Sequence, residues 1–398
     1  MNKQLTIDKR NAVLTSMAKS IEKNQASVLT ANQIDLHTYS GGDISMRDRL
    51  KVDQTKIDGM ILSLNQLTAE PDPLGIERFT TTHENGMHIS NKTAPFGTIL
   101  IIYESRPDVT IEAAGIAFKS GNKILLKGGK ESVNSNLALV ALWHKALKEN
   151  NCDTNWVTYL QFDRAETQSF LENPKEKLDL IVPRGGEQLI AFVKKHARCP
   201  VIVSGRGNNF VYVDSEADLQ MALDIIVNGK TTKISACNAL DKVLVASNLV
   251  RKNQFLQHLI LELQKSKVEI LVDNTLSSLE GTIPIQDDHI WHEEFLDYKI
   301  AIGQAINLED AILKINTFGG GHSAAIITDN TKKANEFMES VDSAVVYHNA
   351  STRFTDGGQF GLGGELAIST DKLHQRGPIG LQHLVTNKWY VKGKGQTR

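Results

Sequence analysis

The sequence predicts two doubly wound α/β domains, and three observations carry that prediction. Short, almost wholly apolar runs of strand length alternate with amphipathic helical segments, the rhythm of parallel sheets covered on both faces. Several of these runs end in glycine-rich turns that open the next segment, as at Pro183-Arg-Gly-Gly-Glu. The chain is also long: 398 residues exceed what one hydrophobic core ordinarily supports. With 41% hydrophobic and 23% charged residues and a net charge of −2, the composition is that of an ordinary globular protein, with no expectation of nucleic acid or an anionic membrane as partner. No apolar run reaches the roughly 20 residues of a membrane helix, and the amino terminus lacks the apolar core of a secretory signal. Three scattered cysteines form no CxxC pair and twelve histidines no HExxH, so the expectation is a reducing cytoplasm and no metal.

The first segment is helical, with Val13, Met17, Ile21 and Val28 on one face. Amphipathic helix continues through 48–52 and 57–64 until Pro71-Asp-Pro-Leu-Gly stops it. Asn85-Gly86 between two β-prone runs marks a hairpin over about 77–95 whose two faces are both polar. From Thr98 the strand–helix rhythm begins. Strands are expected at 98–103, 123–127, 156–160, 179–182 and 201–203, and helices at 109–119, 134–148 and 187–196. A second series follows Cys237: strands at 242–246, 268–272, 323–328 and 344–347, with helices at 249–264, 308–318 and 332–341. The tail is glycine-rich from 357 to 364 and closes on a strand-like run, 384–391, with no obvious partner in its own domain. The residues put the domain boundary near Lys230.

Asn228–Leu240 is the chemically suggestive stretch, because it presents Cys237 on a turn of small and polar residues between a helix and a strand. A lone cysteine is usually structural, but a nucleophilic one needs just such access and nearby N–H groups to hold the thiolate. Three glycine turns, at 127–131, 183–187 and 205–207, are expected at the carboxyl ends of strands, where such sheets bind ligands. None fits GxGxxG. Arg184-Gly185-Gly186 follows a strand and opens a helix, which suits a pyrophosphate, although a plain tight turn would use the same residues. Glu104, Ser105 and Arg106 stand at the end of the first core strand, where an arginine fork suits phosphate or carboxylate and a surface ion pair is the bland alternative. The loop 349–365, with Ser351, Arg353, Phe354 and five glycines, can wrap a polar ligand closely.

Five pieces together resemble a known family: 103–110 (YESRPDVT), 180–186 (LIVPRGG), 237–239 (CNA), 341–365 (VDSAVVYHNASTRFTDGGQFGLGGE) and 368–378 (ISTDKLHQRGP), with Lys388-Trp389 near the end. From about Asp48 to the carboxyl terminus the chain resembles the γ-glutamyl phosphate reductases, also called glutamate-5-semialdehyde dehydrogenases, of the aldehyde dehydrogenase superfamily. The resemblance implies an aldehyde-dehydrogenase-like fold. Residues 1–230 would be the NADPH-binding domain, interrupted by the hairpin near 77–95, and 231–365 the catalytic domain. Residues 366–398 would be a return segment and a terminal strand that joins the hairpin in an oligomerisation flap, giving a homodimer or dimer of dimers. The reaction implied is NADPH-dependent reduction of L-glutamyl 5-phosphate to glutamate 5-semialdehyde, a step of proline synthesis. Glutamate 5-kinase, the upstream enzyme, is the protein partner this raises.

The roles implied go residue by residue. Cys237 would be the nucleophile, and its backbone N–H, with Ser105, would hold the oxyanion. Asn238 would join them on the oxyanion or the substrate. Arg106, Ser351, Arg353 and Phe354 would meet the substrate. Arg184, Gly185 and Gly186 would lie by the pyrophosphate, Lys127 by the adenosine ribose, and Glu294 by the nicotinamide ribose. The chain departs from the family's pattern at Asn209-Phe210, where a Cys-His pair is usual, and at Lys233-Ile234, where Arg-Pro is usual. Arg206 stands where many members carry an aspartate, and it raises the 2′-phosphate of NADPH as its ligand. These departures keep two alternatives open: an aldehyde dehydrogenase acting on another semialdehyde or acyl donor, and a weakly catalytic binding or regulatory relative.

Overall fold

The structure is a computed structural model that describes residues 4–42, 44–252 and 254–398. The chain forms two compact units. One comprises the chain up to Val203 with 361–367 and 379–398, and the other comprises 204–360 and 368–378. The division falls at 203/204, not near Lys230, because residues 209–213 pair into the second sheet and carry the helix 219–231 with them.

The first unit opens with helices α1 (Ile7–Thr38), α2 (Ile44–Leu50) and α3 (Gln54–Ala69). Thr6 caps α1 by accepting the N–H of Lys9, and Val13, Met17, Ile21 and Val28 are buried on its inner face. Strands β1 (Glu77–Thr82) and β2 (His88–Pro95) form the hairpin, and Gly86 supplies the positive φ of its turn. There follow β3 (Thr98–Tyr103), α4 (Val109–Lys119), β4 (Lys123–Lys127), α5 (Val133–Glu149), β5 (Val157–Tyr159), α6 (Arg164–Glu172), β6 (Leu180–Arg184) and α7 (Glu187–His196). The parallel sheet runs β5-β4-β3-β6. Side chains alternate between its two faces: Ile99 and Ile101 join the core with α1, α3, α4 and α5, while Leu100 and Ile102 face Phe170, Leu171 and Val193 of α6 and α7. The expected strand 201–203 is reduced to one bridge, Val201 to Ile181, because the chain leaves the sheet at once.

In the second unit β7 (Asn209–Val213), α8 (Leu219–Thr231) and β8 (Leu240–Ala246) lead to α9 (Ser247–Lys252) and α10 (Gln254–Lys265), which flank residue 253, itself outside the described residues and inside the single helix expected over 249–264. Then come β9 (Glu269–Val272), β10 (Ile283–Pro284), β11 (Lys299–Ala305), α11 (Leu308–Phe318), β12 (Ser323–Ile327), α12 (Thr331–Ser340) and β13 (Val345–His348). Their sheet is wholly parallel in the order β10-β9-β11-β8-β7-β12-β13. Strand β11, absent from the sequence reading, lies between β9 and β8. Its Gly303 leaves room for Trp291 and Asp273, which a Cβ would meet at 2.6 and 2.9 Å.

Strands β14 (Glu365–Ser369) and β15 (Gly377–Gly380) carry the chain between the units and back, and β16 (Val385–Lys392) ends it. The terminal strand does have a partner in its own chain. It runs antiparallel to β2, from Val385 opposite Pro95 to Lys392 opposite His88. Its side chains are largely exposed, as are all six of β1. Phe79 and Trp389 meet edge to face on this sheet, with ring centroids 5.7 Å apart.

Candidate active site

In the first unit, three candidate segments meet at the carboxyl ends of neighbouring parallel strands. Tyr103 of β3 is opposite Arg184 of β6, so Glu104-Ser105-Arg106 and Gly185-Gly186 leave the sheet side by side. Gly186 is the N-cap of α7, and its N–H is donated to Glu104 Oε2 at 3.0 Å. A carboxylate on that N–H shows that the turn suits an oxyanion, and a phosphate oxygen would make the same bond. A Cβ on Gly186 would meet nothing within 4 Å, so the approach is open. Arg106 is exposed and Arg184 half-buried. Lys127, at the end of β4, donates to Gly128 O at 2.8 Å, and burial draws its amine down. Between α6 and α7 lies a cleft of about 400 Å³ lined by Arg164, Gln168, Phe192 and His196, with the Arg164 guanidinium 5.2 Å from the Phe192 ring centroid. The sequence reading passed over it, since it needs two helices to exist.

Ser105 is placed differently from expectation. It is buried with φ +37°, and both its N–H (3.1 Å) and its hydroxyl are held by Glu131 Oε1. A non-glycine residue held there is strained backbone that its surroundings must impose. Its hydroxyl serves that turn.

In the second unit, Cys237 stands on the turn between α8 and β8, half-buried and in no disulfide. The glycine turn at 205–207 opens β7 instead of ending a strand, so it and Cys237 share the amino ends of adjacent parallel strands, contrary to the carboxyl-end placement expected for that turn. The reason is the short bridge at Val201, after which the chain passes into the second unit. Contact between the two segments is intimate: a Cβ on Gly207 would lie 1.8 Å from Cys237 O. Gly207 N–H donates to Glu294 Oε1 at 3.0 Å, so Glu294 and Cys237 both contact the same glycine. Arg206 donates to His292 O at 3.1 Å and is placed on the Glu294 loop of this unit.

The loop after β13 is tied to the residue next to Cys237. Asn238 Nδ2 donates to Arg353 O (3.2 Å) and Thr355 O (2.9 Å), and Thr352 Oγ1 donates to Asn238 O at 2.9 Å. These bonds use the amide donors of Asn238 and leave its buried Oδ1 without a hydrogen bond. An acceptor suits a ligand N–H and cannot stabilise an oxyanion, so of the two roles expected of Asn238 its side chain suits the substrate. Ser351, buried, accepts the N–H of Arg353 at 3.3 Å, and Phe354 is half-exposed. Arg353 stands apart electrically. Its Nε and Nη1 are buried with no hydrogen-bond partner, and burial draws its guanidinium down while the charges of Cys237 and Asp356 pull it back up. Two buried, unpartnered donors on a residue whose carbonyl is tied to the neighbour of Cys237, and whose charge feels that of the thiol, form a built place for an anion.

Beneath this surface is a buried ionic cluster that the sequence reading did not single out. Lys230 pairs with Asp241 at 2.9 Å, both buried. Lys242 donates to Glu293 O at 2.7 Å and lies 3.6 Å from the Phe295 ring centroid. Burial first, against the pull of Asp241, brings the Lys242 amine down to about 7. Its hydrogen bond fixes the residue before Glu294. Among the described residues no His, Cys, Asp or Glu group is gathered as metal ligands, and no helix is long and apolar enough to cross a membrane.

Residues 2–277 match the aldehyde dehydrogenase family. The chain is 40% identical over 395 residues to the gamma-glutamyl phosphate reductase of Clostridium botulinum, covering 99% of this chain and 95% of that one. It is 41% identical over 395 residues to the enzyme of the same name from Streptococcus suis, with the same shares covered. The crystal structure of gamma-glutamyl phosphate reductase from Thermotoga maritima superposes with a TM-score of 0.95 at 38% identity, covering 99% of this chain and 95% of that one. A propionaldehyde dehydrogenase from Clostridium phytofermentans shares the fold at a TM-score of 0.67 and 17% identity, over 98% of this chain and 93% of that one.

Proposed function

The chain belongs to the aldehyde dehydrogenase family, and from that premise we propose that this oxidoreductase reduces L-glutamyl 5-phosphate to L-glutamate 5-semialdehyde with release of phosphate, in the synthesis of proline. The observation that carries the reading is Cys237 on its turn with the unpartnered Arg353 donors beside it, in a chain 40% identical to a gamma-glutamyl phosphate reductase over almost its whole length. The field of Arg353 favours the thiolate form of Cys237 and attracts an anionic substrate. The thiolate attacks the acyl carbon. The C–O bond to phosphate breaks, phosphate leaves with the electron pair, and a thioacyl enzyme remains. A dinucleotide held by the glycine turns, NADPH in this reading, would supply the hydride. Addition at the acyl carbon gives a thiohemiacetal oxyanion on Cys237. As its carbonyl re-forms, the C–S bond breaks and the thiolate returns, and the one proton that the overall reaction consumes goes to the departing phosphate. Backbone N–H at Cys237 meets the oxyanion.

Other residues bind and orient. In the first unit Arg184, Gly185 and Gly186 are assigned to the pyrophosphate, with Glu104 yielding the Gly186 N–H to it, and Lys127 to the adenosine ribose. In the second unit Glu294 is assigned to the nicotinamide ribose. Arg353 takes an anionic group of the substrate, Asn238 Oδ1 accepts from its ammonium, and Ser351 and Phe354 shape the loop around it. Arg106 is a second candidate for phosphate. The hairpin and β16 are assigned to subunit assembly, where pairing of the outer strands would cover their edges, and the cytoplasm is the expected site of action. The test is phosphate-dependent reduction of NADP⁺ by glutamate semialdehyde, with Cys237→Ala as control. Activity that requires phosphate and disappears with the thiol is expected. Activity indifferent to phosphate would point to another aldehyde dehydrogenase reaction, and activity surviving in Cys237→Ala would refute the mechanism.

A further inference from the structure

No proline stiffens the turn that carries Cys237 over residues 232–239. The turn is instead stapled by side chains from elsewhere, and the central staple is Asn209, the fully buried first residue of β7. Its Nδ2 lies 2.8 Å from Cys237 O, 2.6 Å from Ala239 O and 2.9 Å from Gly207 O, so two N–H bonds are shared among three carbonyls. Its Oδ1 accepts the N–H of Ser323, at the start of β12, at 3.0 Å. The amide orientation follows from these partners, since one side faces only acceptors and the other a donor.

The carbonyl between the two stapled ones, Asn238 O, is held by a different side chain, Thr352 Oγ1, at 2.9 Å. Three consecutive carbonyls, of residues 237, 238 and 239, are thus each fixed by a side chain. A trans peptide is planar, so fixing a carbonyl fixes the N–H of the next residue on the opposite side. Asn209 therefore sets the peptide plane that follows Cys237, and Gly207, packed against the same carbonyl, removes the room to slide.

We propose that Asn209 is a positioning residue for the thiol: by fixing the carbonyls of Cys237 and Ala239 it holds the nucleophile's backbone in its reactive pose. The inference rests on Cys237 being the nucleophile. It gives Asn209, which the sequence shows only as a departure from the family's pattern, a task that a small thiol could not perform by donating to three carbonyls at once.

The experiment uses the full chain and iodoacetamide. The rate of carbamidomethylation of Cys237 is followed by peptide mass spectrometry, with Cys199 as internal reference, alongside kcat and KM for NADP⁺ in phosphate-dependent oxidation of glutamate semialdehyde and the melting temperature. For Asn209→Ala the expected result is a kcat lower by roughly tenfold or more, a KM for NADP⁺ within about twofold of the parent, and Cys237 alkylation slowed at least about threefold relative to Cys199. Asn209→Ser, which keeps one donor, should fall between the two, and it carries the test if the alanine variant does not fold. An unchanged or faster Cys237 alkylation in a folded variant overturns the proposal, even if stability falls, because that pattern belongs to a purely structural asparagine. A parent protein that keeps its activity after Cys237 is fully alkylated would instead sink the underlying reaction, whatever the variants do.

Discussion

Replacing Arg353 by glutamine separates a binding arginine from a structural one. In this structure Nε and Nη1 are buried and make no hydrogen bond, and burial depresses the guanidinium against the attraction of Cys237 and Asp356. A buried donor without a partner stabilises nothing in the fold, so its loss should leave the melting temperature within about 2 °C of the parent, or raise it. Activity should behave oppositely. A hydrogen bond from a charged donor to an anion contributes about 1.5–3 kcal/mol, so two such donors, discounted for the solvent that reaches this half-exposed loop, are together worth about 3 kcal/mol. That corresponds to roughly 100-fold in kcat/KM. The assay is NADPH formation from NADP⁺, phosphate and glutamate semialdehyde, with phosphate and semialdehyde varied in turn. The KM that rises shows which anionic group Arg353 holds. If neither KM moves and kcat/KM stays within about threefold, the donors do not await the substrate and the reasoning fails. A loss of activity matched by a fall of several degrees in melting temperature would refute it equally, because Arg353 would then be supporting the loop.

Two more predictions concern the floor of the site. Glu294→Gln keeps an acceptor for the Gly207 N–H, so the fold should be unaffected while KM for NADP⁺ rises about tenfold in steady-state kinetics; an unchanged KM would remove Glu294 from the dinucleotide site. Lys242 carries a pH signature: its amine titrates at about 7 in the fold and near 10.4 when unfolded. Between those values the unfolded chain binds more protons, so stability rises with pH across the window at about 1 kcal/mol per unit, and the Lys242 contribution is flat below it. Lys242→Met removes that slope, and urea midpoints at pH values spaced between about 7.5 and 9.5 should diverge between parent and variant; parallel curves would show that Lys242 is not held neutral in the fold.

Much of the first unit was legible because its elements advertise themselves locally. Strands β3, β4 and β6 are runs of Ile, Leu and Val buried on both faces, and Asn85-Gly86 marks its hairpin without help from any distant residue. What escaped depends on pairing at long range. Strand β11, Lys-Ile-Ala-Ile-Gly-Gln-Ala, has three small residues among its seven, and its glycine has a reason only once Trp291 and Asp273 are packed on it. Val201–Val203 has the composition of a strand and makes one bridge. The domain boundary near Lys230 failed for the same reason: Asn209–Val213 could extend either sheet by composition, and only its pairing with β8 and β12 decides. The partner of β16 is almost 300 residues away on β2, beyond any local signal.

The candidate site divides along a similar line, for a chemical reason. Groups proposed to touch a ligand are drawn from few residue types: a thiol for acyl transfer, an arginine for an anion, glycines where a phosphate must approach. Such residues stand out in a sequence because few others can replace them. Holding those groups in place is a less exclusive task. A backbone carbonyl accepts equally from an asparagine, a threonine or a lysine, and here all three are used: Asn209 on Cys237, Thr352 on Asn238, Lys242 on Glu293. No spacing rule connects Asn209 to a carbonyl 28 residues further on, and the sequence shows only that an unusual residue occupies the position. Positioning residues should therefore vary among relatives that keep the thiol, with each replacement obliged to bring another donor to the same carbonyls or to leave them unsatisfied at a cost in the geometry of the nucleophile. For this chain the obligation falls on Asn209. The Cys237 turn has no proline to stiffen it, so the amide must supply by hydrogen bonding what backbone chemistry does not.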